Sequence, residues 1–249
     1  MSAEPVASNK DNLFSKRYEL KFTVSSNLAS EIQDWALENM GPDPFLAGHN
    51  LDSYQVTSLY LDTPQFEIFH RQPESGNRKY RVRRYGDCSK LWLEVKRKKG
   101  DLVRKKRTWI DENSIPHLTD EADLIDATES DNSSHWFRTR INRFELQPCT
   151  WIEYRRFARV HDTKGLGARL TIDRDIRCLT ARDWSVPNGL GAAASSITQH
   201  CQLELKFCNT LPSLFKGLMN TFSLARSVLS KYRTSVNVCY LIVPKSAAS

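Results

Sequence analysis

Apolar and polar side chains alternate with a period of two along most of the chain, and this pattern predicts a protein built mainly from β-strands. Between Arg78 and Tyr85 the alternation places Lys79, Arg81 and Arg83 on one face of an extended strand. The same alternation predicts further strands over residues 17–22, 54–62, 91–96, 102–110, 150–160, 168–173 and 202–207. An apolar run predicts a last strand over residues 236–243.

Two segments instead have apolar residues at helical spacing. The first follows a capping residue at 25–27 and ends at Gly41-Pro42. The second starts near Pro212 and carries an apolar stripe that continues to Leu229. The acidic segment 111–134 is weakly periodic and predicts one or two surface helices with loops. Both apolar helices could cover one face of a sheet.

Strands with one charged and one apolar face suit two arrangements. In a sandwich the charged faces look outward into water. In a closed barrel wide enough for a ligand they line the lumen, and helices cover the apolar outside. Periodicity alone does not choose between the two.

Positive charge is concentrated in one part of the sequence. Residues 78–107 contain fourteen Lys or Arg and three acids, whereas residues 108–137 contain eight acids and no Lys or Arg. Without that acidic segment, 36 basic residues face 21 acidic ones, a formal charge of +15. Because like charges directly opposite each other destabilise a sheet, three adjacent cationic strands indicate that a polyanion binds between them.

Several classes of protein and site are excluded by what the sequence lacks. Residues 1–13 are polar and predict a disordered leader rather than a signal peptide, and no apolar run approaches the ~20 residues that span a bilayer. The six cysteines have no C-x-x-C spacing and predict reduced thiols in a cytoplasmic protein. Neither a P-loop nor a G-x-S-x-G nucleophile motif is present.

A basic sheet that binds nucleic acid is one interpretation of the cationic strands. Aromatic residues interleaved with the cations could stack on bases, namely Tyr80, Tyr85, Trp92 and Trp109. Three acids share the face pattern of the cations, however, and would repel a nucleic-acid backbone: Glu19, Glu94 and Glu204. The sequence therefore disfavours nucleic acid as a partner.

Nine short charged motifs follow one another along the chain. They are Glu19-x-Lys21, Tyr60-x-Asp62, Arg81-x-Arg83, Glu94-Val95-Lys96, Lys105-x-Arg107, Tyr154-x-Arg156-x-Ala158, Arg169-x-Thr171-x-Asp173, Glu204-Leu205-Lys206 and Ser230-Lys231-Tyr232. In this order they resemble the vacuolar transporter chaperone (VTC) domain, the catalytic part of eukaryotic polyphosphate polymerase and a member of the triphosphate tunnel metalloenzyme, or CYTH-like, superfamily. The resemblance implies one tunnel domain over residues 14–245, followed by a short tail at 246–249.

The resemblance also implies an α+β fold in which an eight-stranded antiparallel β-barrel forms a tunnel flanked by helices. Basic side chains inside it would hold ATP, another triphosphate or inorganic polyphosphate, and a glutamate would hold a divalent metal, Mn²⁺ or Mg²⁺. The implied phosphate ligands are Lys21, Arg81, Arg83, Lys96, Lys105, Arg156, Arg169 and Lys231, with Arg107 as a second candidate on the strand of Lys105. Glu204 is the implied metal ligand, and the implied catalytic set joins it to Arg81, Arg83, Lys96, Arg156 and Arg169.

The function implied is metal-dependent transfer of the γ-phosphate of ATP to a growing polyphosphate chain. Such transfer needs alignment and charge neutralisation more than a protein nucleophile. Residues 104–107 place two cations on each face of their strand, so the inward pair stays open. Triphosphate hydrolysis and non-catalytic polyphosphate binding are alternatives. Hydrolytic relatives begin with a Glu-x-Glu-x-Lys strand, and Arg17 in place of the first glutamate weakens the hydrolase interpretation.

Overall fold

The computed structural model describes residues 17–46, 52–73, 75, 77–119, 134–161, 167–227 and 229–241. The predicted leader and tail lie outside these residues. The strands are β1 (Arg17–Val24), β2 (Gly41–Pro42), β3 (Ser53–Asp62), β4 (Arg78–Tyr85), β5 (Lys90–Lys99), β6 (Leu102–Asp111), β7 (Gln147–His161), β8 (Ala168–Thr180), β9 (Ser195–Ser196) and β10 (Cys201–Cys208). The α-helices are α1 (Ser26–Asn39), α2 (Glu67–His70), α3 (His135–Arg143), α4 (Ser213–Thr221) and α5 (Lys231–Tyr240). In the described part of the chain, no helix is both long and apolar enough to cross a bilayer.

Eight of the strands form a closed antiparallel ring in the order β1–β6–β5–β4–β3–β7–β8–β10, and β10 returns to pair with β1. The two-residue strands β2 and β9 pair with β7 and β8. Closure turns one face of every strand of the ring toward a common interior. The predicted eight-stranded antiparallel tunnel with flanking helices is therefore confirmed, and the sandwich is excluded.

The apolar outer faces of β1, β7, β8 and β10 pack against α1 and α4. In α1 the fully buried residues Ala29, Ile32 and Ala36 recur at helical spacing. Phe215 and Leu218 are their counterparts in α4. These helices bury the apolar side of the ring, and this leaves the interior as the place for the charged side chains.

A second apolar cluster covers the other half of the ring. Phe137 and Ile141 of α3 pack with the outer faces of β3 to β5, and Val236 of α5 joins the same cluster. Ser230 caps α5 by accepting a hydrogen bond from the backbone N–H of Arg233 at 3.3 Å. The cap fixes where α5 begins, and this places the first turn of the helix beside the ring.

Asp62, the last residue of β3, ties α2 and α5 to the ring. Its Oδ1 accepts hydrogen bonds from the backbone N–H groups of Thr63 and Ile68, at 2.8 and 2.9 Å. Its Oδ2 accepts from the backbone N–H of Phe69 at 3.0 Å and from the hydroxyl of Tyr232. One carboxylate therefore holds the first turn of α5 at one end of the ring.

Two predictions near the C-terminus are wrong. The predicted strand over 236–243 is helix α5 as far as Tyr240, because Tyr232 and Val236 lie one helical turn apart and bury the same face against β7 and β8. The predicted long second helix ends at Thr221, since Ser223 has a left-handed φ of 46° that breaks the helical path. The chain then runs beside β1, where the backbone N–H of Ser227 donates to the carbonyl of Lys21 at 2.9 Å.

Candidate functional site

Contacts across the ring show which side chains point into it. Lys96 on β5 donates to Glu19 on β1 at 2.6 Å, although β6 lies between these two strands. Arg169 on β8 donates to the hydroxyl of Tyr54 on β3 at 3.0 Å, although β7 lies between them. The charged strand faces therefore line a channel. Its described cations are Lys21, Lys79, Arg81, Arg83, Lys96, Lys105, Arg107, Arg156, Arg169, Lys206 and Lys231, and its described acids are Glu19, Glu94, Asp173 and Glu204.

Glu94 is the centre of one cluster in the channel wall. Its carboxylate is fully buried and lies 2.6 Å from a guanidinium nitrogen of Arg81 and 3.9 Å from one of Arg83. Lys105 on the neighbouring strand forms a third ion pair with it. Burial raises the pKa of Glu94, but Arg81, Lys105 and Arg83 outweigh burial and hold the pKa well below its ordinary value. Glu94 thus positions three cations with one negative charge.

Glu19 and Glu204 form a second cluster around Lys21. Lys21 Nζ lies 2.7 Å from Glu204 Oε1 and 3.2 Å from Glu19 Oε1. The register of β1 and β10 produces this contact, since Lys21 stands opposite Glu204, and Glu19 stands opposite Lys206. Lys206 Nζ lies 2.7 Å from Glu204 Oε2. Two carboxylates and two lysines thus alternate on the inner faces of two adjacent strands.

Asp173 joins the ring to α5. Arg156 makes two parallel hydrogen bonds to its carboxylate, at 2.7 and 2.8 Å, from the position directly opposite on β7. Lys231, the first residue of α5, lies 2.6 Å from Asp173 Oδ2 and 3.9 Å from Glu204 Oε1. Burial raises the pKa of Asp173, but Arg156 and Lys231 lower it to about 2. The helix therefore contributes a cation to the channel.

Shifts of pKa in the channel reflect both burial and the neighbouring charges. Burial lowers the pKa of Lys105 and of Lys206 to about 8, although Glu94 and Glu204 raise it, and burial together with neighbouring cations lowers the pKa of Lys79 well below its ordinary value. Burial and Glu94 raise the pKa of Tyr85, yet Arg83, Lys105 and Arg81 lower it to about 7. Burial alone would raise a tyrosine pKa and lower a lysine pKa. The lowered pKa of Tyr85 therefore requires nearby cations, and an anionic ligand would relieve this local excess of positive charge.

The side-chain contacts of β6 show which of its cations face inward. Lys105 contacts Glu94, and the guanidinium of Arg107 lies 4.5 Å from the ring of Trp92, which is on the same inner face of β5. Lys106 points to the outer face, where its Nζ lies 4.6 Å from the ring of Trp136 in α3. The inward pair is thus Lys105 and Arg107, which are the two candidates that the resemblance implied.

The structure brings every predicted phosphate ligand to the same channel, although two of them lie toward its ends. Arg107 lies against Trp92, and Arg169 donates to Asp43 at 3.0 Å. The side chain of Arg17 lies outside the part of the structure that is described. Two channel cations were not assigned a role from the sequence, Lys79 and Lys206. Strand parity could have identified both, because Lys79 alternates with Arg81, and Lys206 alternates with Glu204.

A divalent metal is compatible with the Glu19–Glu204 pair. Oε1 of Glu19 is buried and accepts no hydrogen bond, although Lys21 Nζ lies 3.2 Å away. Among the residues that the structure describes, no group of three or more His, Cys, Asp or Glu side chains is arranged to hold a metal. Mg²⁺ and similar hard cations need only one or two carboxylates when substrate phosphates and water supply the other oxygens. The donor set therefore fits a metal that arrives with a phosphate ligand.

Comparisons with known proteins agree with this geometry. The family model for the VTC domain matches residues 16–240. HpAC1 from Hippeastrum, described as having a dominant triphosphatase activity, has a solved structure that matches with a TM-score of 0.51 and 13% identity, covering 92% of this chain and 98% of that one. A protein from Pyrococcus horikoshii matches with a TM-score of 0.44 and 10% identity, covering 84% and 92%. No curated protein sequence matches.

The HpAC1 similarity, at this low identity, shows a shared fold. The family model carries the assignment, because it spans nearly all of the described residues and all nine of the charged motifs. The chain belongs to the VTC domain family.

Proposed function

We propose that this protein is a metal-dependent polyphosphate polymerase that transfers the γ-phosphate of ATP to the end of a growing polyphosphate chain inside the channel. The observation that carries the proposal is the closed channel whose described lining has eleven cations and four acids, with Asp43 as a fifth acid beside Arg169. That excess suits a ligand with a negative charge on every repeating unit. The proposed catalytic unit is a single domain over residues 14–245, in the cytoplasm.

The Glu94 cluster would hold the phosphates of the donor. Arg81 and Arg83 are buried guanidinium groups on one strand face, and each can make two parallel hydrogen bonds to phosphate oxygens. Lys105 adds a point charge from the neighbouring strand. Because Glu94 fixes all three before substrate arrives, little reorganisation is needed when negative charge develops on the transferring group.

A second set of cations would hold the acceptor chain in line with the donor: Arg156, Arg169, Lys96, Lys21 and Lys231. Arg156 donates from Nε and Nη2 to the Asp173 carboxylate, and Lys231 reaches the same carboxylate from α5. Such prior fixing of position lowers the entropic barrier of a reaction between two bound groups. Lys79 and Lys206 are further phosphate contacts in this proposal.

Glu204, with Glu19 beside it, would hold Mn²⁺ or Mg²⁺. When bound, the metal neutralises charge on phosphate oxygens. The protein's own part is to present two carboxylates on adjacent strands and to keep them ionised. Burial and the neighbouring Glu204 raise the pKa of Glu19, but Lys96, Lys21 and Lys206 hold it below its ordinary value.

The proposal is tested by incubating the purified protein with ATP and Mn²⁺ and separating the products on a gel while released phosphate is measured. Long polymer is the expected product. Orthophosphate without polymer would contradict the polymerase proposal. The conservative control Lys216→Gln, on the exposed face of α4, should leave polymer synthesis unchanged.

Triphosphate hydrolysis is the second candidate, and one observation favours it. Glu19 and Glu204 lie on adjacent strands on either side of Lys21, so two carboxylates are available for a metal-assisted reaction with water. The two activities share the cation clamp and differ in the acceptor, which is water in one and phosphate in the other. The gel and phosphate measurements above separate them directly.

A further inference from the structure

The outer face of β4 to β6 carries a row of three arginines that stand directly opposite one another. Arg78 pairs in register with Arg97, and Arg97 pairs with Arg104. All three share the strand face of Tyr80 and of other residues that pack under α3, so they point away from the channel. We call Arg78, Arg97 and Arg104 the outer arginine row. At the usual strand spacing it spans about 10 Å.

Three more cations extend this row into a patch. Lys106 and Arg140 both lie on the ring of Trp136, at 4.6 and 5.4 Å from its centroid. Arg143 lies 5.5 Å from the ring of Phe144, and Phe144 in turn packs on Tyr80 beside the row. The outer cation patch is thus the outer arginine row together with Lys106, Arg140 and Arg143.

The outer cation patch differs from the channel in one respect. Inside the ring, on the same three strands, Lys79, Lys96 and Lys105 also stand opposite one another. Each of these lysines has a partner, since Lys79 donates to Ser230, Lys96 to Glu19, and Lys105 contacts Glu94. Outside, Arg78 and Arg140 donate to the backbone carbonyls of Ser75 and Trp136, but none of the six patch cations forms an ion pair with any residue that the structure describes. Like charges directly opposite each other destabilise a sheet, so the outer arginine row has a structural cost that no acid among the described residues offsets and that a bound anion would remove.

We infer that the outer cation patch binds polyphosphate outside the channel; the choice of this ligand rests on the proposed function. A linear phosphate chain carries charge on every unit and needs only cations for recognition. Bases would require a free aromatic face, and both cations on Trp136 already occupy its ring. The large exposed apolar side chains of the described residues, Leu37, Trp109, Val238 and Leu241, all lie elsewhere, so the patch offers no apolar anchor for a membrane.

The test compares the binding of long polyphosphate, of about 100 units, with the binding of tripolyphosphate. In Arg97→Ala/Arg104→Ala the affinity for the long chain should fall about tenfold at physiological salt, because two phosphate contacts are lost. The slope of log K against log salt should fall by about two. Affinity for tripolyphosphate should not change, since the channel is untouched. The control Arg182→Ala/Lys216→Ala removes the same charge from two exposed positions away from the patch and should leave both affinities unchanged.

Three results would overturn the inference. One is equal binding of the long chain by the row variant and the control. Another is an equal loss of tripolyphosphate and long-chain binding, which would mean that the substitutions act through the channel. The third is a single-stranded oligonucleotide with the same number of charges that binds more tightly than polyphosphate and loses as much affinity in the row variant. Because ready-made polyphosphate is used, failure to synthesise polymer from ATP would count against the proposed function alone.

Discussion

The two walls of the channel are built from different mixtures of charge. The wall of β4, β5 and β6 places six cations around one acid: Lys79, Arg81, Arg83, Lys96, Lys105 and Arg107 around Glu94. The wall of β1, β8 and β10 alternates cations and acids: Lys21, Arg169 and Lys206 with Glu19, Asp173 and Glu204. The first wall has an excess of donors for phosphate oxygens, whereas the second has carboxylates in pairs. In the proposed function, the first wall would hold phosphate and the second would hold the metal.

The largest effect should come from removing the single acid of the cationic wall. In Glu94→Gln, the Arg81, Arg83 and Lys105 cations lose their buried counter-charge, and the free energy of unfolding should fall by about 3–5 kcal/mol. Urea denaturation measures the change. Saturating triphosphate should restore more stability to this variant than to the unaltered protein, because phosphate replaces the missing charge.

An exposed ion pair provides the matched control. Asp52 pairs with Arg159 and is 59% exposed, so Asp52→Asn should lower the free energy of unfolding by less than about 1 kcal/mol. Equal losses in Glu94→Gln and Asp52→Asn would contradict the view that Glu94 organises the cationic wall.

A slightly smaller effect, on turnover, should follow from a change in the other wall. Glu204→Gln removes the proposed metal ligand, and turnover should fall about 10²- to 10³-fold while circular dichroism shows a retained fold. The Mn²⁺ concentration that gives half-maximal activity should rise. Full activity in this variant would refute the assignment of Glu204 as the metal ligand.

Ligand binding should stabilise the channel as a whole. At a concentration one hundred times its dissociation constant, triphosphate should raise the free energy of unfolding by about 2.7 kcal/mol. For a domain of this size the melting temperature should then rise by about 5–10 °C. Chloride at equal ionic strength should produce a clearly smaller rise, because it only screens the cations. The tunnel interpretation fails if the two salts give the same melting temperature.

The smallest expected effect is an uptake of protons when phosphate binds. Lys105 and Lys206 have pKa values of about 8, so each is about half-protonated at pH 8. Bound phosphate favours their charged forms, and binding should take up about one proton in total. Calorimetric titration in two buffers with different ionisation enthalpies measures this uptake. Identical heats in both buffers would contradict it, and Lys206→Met should reduce the uptake.

The same two lysines set a pH dependence of stability. Their pKa values are lowered from an ordinary value of 10.5. Between about pH 8 and 10.5 the unfolded chain therefore binds more protons than the folded one, and the free energy of unfolding contributed by these groups rises with pH. Saturating triphosphate should flatten that rise. Thermal unfolding with and without triphosphate across this range measures the difference.

The strand faces could be predicted from the sequence, because period-two alternation states which residues share a face. Arg81, Arg83 and Glu94 are on the predicted inner side for this reason. Closure of the ring could not be derived from periodicity, since it depends on pairing between β1 and β10, where Lys21 and Glu204 are 183 residues apart. The resemblance to a family supplied that information.

The sequence predicted a strand where α5 forms, because the apolar residues there make a run without clear alternation. Only the packing of Tyr232 and Val236 against β7 and β8 reveals the helical spacing. The role of Asp173 was also hidden. Its pattern showed the inner face, but the contacts with Arg156 and Lys231 depend on how α5 approaches the ring.

The closure of the ring also determines the order in which the protein can be completed on the ribosome. β1 is held to β6 by two residue pairs, whereas it is held to β10 by eight. Most of the pairing of β1 must therefore wait for β10, which is synthesised later. Until β10 has emerged, the cationic hairpins of β4 to β6 exist without Glu204, and β1 and β8 are open edges. A chain interrupted before β10 thus leaves positively charged strands with unpaired edges, and the channel forms only once β10 is present.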